Sequence, residues 1–172
     1  RLLFLAGSFY FLFKFCLAGL QIKNARFFRG WTLVVAGTVA TMWFLYGING
    51  AQAAARYLFG FPASLGTSLV FFRFGLGFKK EMRVLLWLVS VSFLAYSFLS
   101  GMIVSRVPVF LASILNTDSF LRTYGSPVQL WRGLCAFIAA GGILIFSQEL
   151  ARGAIKGRLH FWKREISTGA LF

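Results

Sequence analysis

Few residues in this chain are of a type that does chemistry. Its 172 residues include one histidine, His160, and four acids, Glu81, Asp118, Glu149 and Glu165. General acid–base catalysis needs such groups held within hydrogen-bond reach of a substrate, and these five are scattered over connecting stretches and a basic tail. The two cysteines, Cys16 and Cys135, lie inside apolar blocks without a CxxC. With a single histidine, zinc or haem ligation has almost no ligand set, and both thiols read as small apolar packing residues. The sequence has no DxxxD pair, no glycine-rich phosphate loop and no HExxH, and no arrangement brings a base to a nucleophile. No catalytic residue, metal ligand or cofactor is therefore assigned, and the expectation is a chain that is not itself an enzyme, although it can belong to an enzyme complex.

The residues that do raise a chemical question are cations inside apolar stretches. Lys14 stands in "SFYFLFKFCLAGL", and an ionisable group at membrane depth marks a functional site by default. Residues three, four and seven apart share a helix face, and around Lys14 that face carries Gly7, Tyr10, Ala18 and Gln21, with Leu5, Leu12, Phe13 and Leu20 opposite. Lys14 is thus expected to point into protein. The partners open to it are an interface reached by snorkelling, a lipid headgroup, an acid on another subunit, or a substrate pathway. Arg132 shares its face with Cys135, Ala136, Ala139 and Ala140, and with Lys14 it is assigned to intramembrane partner contact. Arg73, between Phe72 and Phe74, reads as an interfacial anchor.

The elements that must position these groups follow from composition. Charged residues make up 13% of the chain and hydrophobic ones 59%, whereas about a quarter of a soluble domain is charged. Residues 31–55 and 84–105 carry no charge at all, and about 20 apolar residues cross a bilayer core as a helix. The fold class is all-α, a polytopic membrane bundle in one domain over 1–172. Five spans are expected, at about 2–22, 31–48, 57–78, 84–104 and 128–147. "GING" supplies a turn after the second. The third holds Pro62 and several glycines, so a re-entrant segment is its alternative. The segment 107–115 is too short to span and reads as an interfacial helix or dip capped by "NTDS". The basic tail, 148–172, reads as an interfacial helix or as a continuation of the last span. The first residue is not Met, which suits a chain that begins after a cleaved leader.

Eighteen Lys and Arg against four acids give a formal charge of +14. Excess basic charge is also the footprint of a nucleic-acid binder, but here the cations sit at the ends of apolar blocks, where anionic headgroups lie. Each is worth about 1 kcal/mol near such a surface, so lipid phosphate is the expected partner and nucleic acid is not. With five spans, 23–29, 73–83 and 148–172 share one side and carry three, four and five basic residues, the bias expected of cytoplasmic or matrix loops. Arg26, Arg29, Lys79, Lys80 and Arg83 are assigned to anionic lipid.

Small or polar stripes run along several spans, such as Ala36, Gly37, Ala40 and Thr41, or Ser90, Ser97 and Gly101. These suit helix contact in lipid. The expected function is a non-catalytic accessory subunit of a large membrane complex, of respiratory or ATP synthase type. It would contact other membrane subunits and anionic phospholipid, cardiolipin especially. The mitochondrial inner membrane is the expected location and the bacterial inner membrane the alternative. The alternative function is an oligomeric transporter or channel for anions or small molecules. Lys14, Arg73 and Arg132 would attract its cargo, and Gly60, Pro62 and Gly66 would break a helix near the site.

Overall fold

A computed structural model describes residues 2–21, 25–108 and 110–169, with most side chains as far as Arg152. These residues form α1 (Leu2–Gly19), α2 (Ala25–Ala55), α3 (Phe61–Leu76), α4 (Lys80–Tyr96), α5 (Phe110–Ile114), α6 (Thr117–Tyr124) and α7 (Val128–Gly169). Short π-helical segments, Arg56–Gly60 and Ser97–Met102, join α2 to α3 and extend α4.

Three helical runs are long and apolar enough to cross a membrane, Phe28–Leu76, Lys80–Met102 and Val128–Arg152, where five were expected. At 18 residues, Leu2–Gly19, α1 is slightly shorter than the ~20 residues a crossing takes. The second and third expected spans are one helical run of 49 residues. That run changes direction at Gly47, whose φ of 65° and ψ of −156° are open essentially to glycine alone. The bend brings Gly50 against the Met42 carbonyl and the Tyr46 side chain, although eight residues of straight helix would separate the first pair by about 12 Å. Pro62 does not break the run. Lacking an N–H, it leaves a carbonyl four residues back without a partner, and a π turn accommodates this, with Phe61 N–H donating to the Arg56 carbonyl. Helix continues from there to Leu76, so Phe61–Leu76 is one unbroken helix in spite of Pro62 and its glycines.

Three other boundaries differ from expectation. Ala25–Arg29, expected as loop, is the first turn of α2. "NTDS" starts a helix instead of ending one: Asn116 accepts from the N–H groups of Asp118 and Ser119, and the Ser119 hydroxyl accepts from the Asn116 N–H. This reciprocal capping box satisfies orphan donors of α6. Finally, α7 is unbroken to Gly169, so of the two readings of the tail it is the continuation of the last expected span that the helix follows. Residues 170–172 lie outside the described residues.

Close approaches fix the helix directions. An added Cβ on Gly60 would meet Phe9, one on Gly66 would meet Cys16, and one on Gly19 would meet Val70, so α1 and α3 run parallel. Gly75 faces Trp87, Ser68 bonds to Ser90 and Gly101 lies on Phe61, so α4 returns antiparallel to α3. Gly142 lies on Val89, and Arg132 bonds to the Leu99 carbonyl, so α7 is antiparallel to α4.

Phenylalanine fills the seams between these helices. Phe9, Phe13, Val35, Phe59 and Ala63 form one buried cluster, and Phe71, Leu86, Val89 and Phe146 form another. Between α3 and α4 the Ser90 hydroxyl donates to the Ser68 carbonyl at 2.8 Å, and the two hydroxyl oxygens lie 3.1 Å apart. Ser90, Ser97 and Gly101, expected as one packing face, are all buried.

Candidate functional site

The helix directions collect the basic segments at one end of the bundle. Gly19 closes α1 beside Val70 of α3, Gly75 sits against Trp87 at the start of α4, and Phe78 packs on Phe146 of α7 at a centroid distance of 5.4 Å. Arg26, Arg29, Arg73, Lys79, Lys80 and Arg152 therefore belong to one end, and all six are exposed. Arg83, assigned with them to lipid, is half-buried and engaged: its Nη2 donates to the Phe78 carbonyl at 3.1 Å and lies 3.5 Å from that of Leu76. It caps the last carbonyls of α3, a position favourable to a cation.

Lys14 departs from expectation. Cys16, Phe9 and Phe13 supply the buried side of α1, while Lys14 and Ala18 are exposed. The reason is the size of the groups that fit the seam with α3: phenylalanine rings and a thiol seat against Gly60 and Gly66, whereas a lysine there would be desolvated without an acid. Its ammonium instead lies 5.5 Å from the Tyr10 ring centroid and 5.9 Å from that of Phe28, within cation–π range.

Arg132 does enter the bundle. Its Nε donates to the Leu99 carbonyl at 2.8 Å and its Nη2 to the Ile103 carbonyl. Arg56 joins it from the π turn before α3, donating from Nη1 to the Ser100 carbonyl at 3.1 Å and to the Ser100 hydroxyl at 3.3 Å. Two guanidinium groups thus close the C-terminal end of the π-helical extension of α4, donating to the carbonyls of Leu99, Ser100 and Ile103, where a helix end leaves its last carbonyls without helical partners. Among the described residues the one ion pair is Arg152 with Glu149, at 2.6 Å. The role of Arg56 was missed in the sequence because both of its partners, the carbonyl and the hydroxyl of Ser100, lie 44 residues away.

The stripe expected on α2 is not used within the chain. Ala36, Gly37, Ala40 and Thr41 are all exposed, beside Leu33, Val34, Trp43 and Phe44. Among the described residues no group of three or more His, Cys, Asp and Glu side chains is gathered as a metal site would require.

No protein-family model, no curated protein and no solved structure matches this chain.

Proposed function

We propose that the chain is a non-catalytic accessory subunit of a larger membrane complex, of the energy-transducing type, held by neighbouring subunits and by anionic phospholipid at its basic end. The observation that carries this reading is the bareness of α2. Only 6% of the most apolar stretch of the Phe28–Leu76 run is buried within the chain, although that run is long enough to span. Its outward face combines small residues with Trp43 and Phe44, the combination that lets a neighbouring helix approach closely in lipid.

In this reading α1 and both arms of the Gly47 bend also cross the bilayer. The five passes then alternate in direction, with the basic end on the matrix or cytoplasmic side, as the bias of Lys and Arg favours. The inner mitochondrial membrane, rich in anionic cardiolipin, suits a charge of +14.

The test is a native purification of the tagged full-length protein from its own membrane. Co-migration with other membrane subunits in a large complex is the expected result. A stable homo-oligomer that binds an anion and lacks other subunits would overturn the reading in favour of transport.

A further inference from the structure

Helices α1 and α7 stand on either side of the α3–α4 pair and scarcely touch each other. The gap between them holds two cavities. One, of 710 Å³, lies towards the basic end, between Phe15 and Ala18 of α1, Phe71 and Arg73 of α3, and Ile143 and Phe146 of α7. The other, of 320 Å³, lies towards the far end, between Ser8 and Leu12 of α1, Phe93 and Tyr96 of α4, and Ala136 and Ala140 of α7. Ile143 lines both, so they meet at that side chain. Their floor is continuous, because Phe71 in the first stacks on Phe93 in the second at 5.8 Å and an interplanar angle of 7°.

We infer that this groove seats one acyl chain of an anionic glycerophospholipid, whose phosphate is met by Arg73. The length fits. From Ser8 to Gln21 the groove follows about 20 Å of α1, and the hydrocarbon of one bilayer leaflet is about 15 Å deep. The polarity fits too. The walls are mostly apolar, with Ser8, Ser92 and Tyr96 the polar side chains of the far half, and the one charged lining group, Arg73, stands with Gln21 at the basic end. Arg73 is exposed, and among the described residues it has no hydrogen-bond or ion-pair partner. Arg26, Arg29, Lys79, Lys80 and Arg152 belong to the same end of the bundle, which favours an anionic over a zwitterionic headgroup. The small side chains of Ala136, Ala139 and Ala140 give the far half of the groove its depth. The inference rests on the reading that the basic end faces anionic lipid.

The experiment reconstitutes the full chain in vesicles of phosphatidylcholine with phosphatidylglycerol, one lipid or the other carrying a photoreactive group in its acyl tail. Adducts are mapped by peptide. Phosphatidylglycerol adducts are expected at Phe15, Ala18 and residues 139–146, in excess over the exposed α2 face at 33–44. Arg73→Gln should lower the phosphatidylglycerol adducts in the groove about fivefold, the change one basic residue at an anionic surface is worth. It should leave phosphatidylcholine adducts unchanged. Ile143→Trp, which fills the junction of the cavities, should remove groove adducts of both lipids. Adducts spread evenly over exposed helix faces, or no effect of either substitution, would overturn the inference. So would links from the groove to a second copy of the chain in place of lipid. Loss of phosphatidylglycerol preference at α2 and α4 in the triple variant Arg26→Gln, Lys79→Gln, Lys80→Gln tests the basic end separately. If that preference was never present while groove adducts persist, the broader reading fails and the groove stands.

Discussion

Arg56 and Arg132 close the same helix end, the first on Ser100 and the second on Leu99 and Ile103. Two like charges are held near one another there because each has a separate set of carbonyl acceptors. Bonds from a charged donor are worth roughly 1.5–3 kcal/mol, and repulsion between the pair offsets part of that. Arg132→Gln should therefore lower the thermal midpoint in detergent by a margin equivalent to about 2 kcal/mol. Arg56→Gln should cost less, since it forms longer bonds. The double variant should cost more than the sum of the singles, because each single substitution already relieves the same repulsion and the double variant gains that relief only once. Strict additivity would show that the two groups act independently.

Gly66 admits Cys16 of α1 into the seam with α3, and a Cβ on residue 66 would collide with the Cys16 sulfur. Overpacking a buried contact costs roughly 1–3 kcal/mol. Gly66→Ala is expected to destabilise by that amount, and Cys16→Ala on the same chain should restore most of it. Failure of the rescue would mean that α1 and α3 do not meet at this register.

Lys14 is exposed and rests on two aromatic rings. Lys14→Leu should leave the stability of the isolated chain within about 0.5 kcal/mol and favour its membrane insertion by about 3 kcal/mol. If a neighbouring subunit or lipid headgroup uses this ammonium, recovery of the intact complex should fall. Unchanged recovery would identify the lysine as snorkelling only.

A cysteine at Lys79 and another at Arg152 are expected to react with an impermeant reagent from one side of the membrane, and a cysteine at Arg122 from the other. Those positions belong to opposite ends of the bundle. Labelling of Lys79→Cys and Arg152→Cys from different sides would refute the five-pass arrangement.

Much of the fold was legible in the sequence wherever a single residue type dominates the local physics. The uncharged blocks at 31–55 and 84–105 announced membrane helices, the two glycines of "GING" announced a reversal, and Ser90, Ser97 and Gly101 announced a packing face. What misled was pattern without size. A small, polar stripe pointed Lys14 inward, but the seam with α3 is built from glycines that receive phenylalanine rings, so the bulky side of α1 is the buried one. Boundaries near "KNARFFRG" and "NTDS" failed because polar residues can begin a helix as readily as they fill a loop, and only the geometry of the Asn116 cap decides which. Of the arginine clamp only Arg132 was singled out in the sequence, and of the groove only its small α7 stripe, since backbone acceptors and gaps between non-adjacent helices leave no mark on residue type.

The parallel pairing of α1 with α3 has a consequence for timing. Phe9 cannot reach Gly60, nor Cys16 reach Gly66, until α2 has been made and turned back at Gly47. At about 5–20 residues per second, the roughly 50 intervening residues take on the order of 3–10 s to synthesise. Throughout that interval α1, short for a crossing and carrying Lys14, has no α3 to lean on. A nascent chain stalled before Gly60 should therefore present an α1 that slips in and out of the bilayer, and one stalled after Val70 should hold it fast.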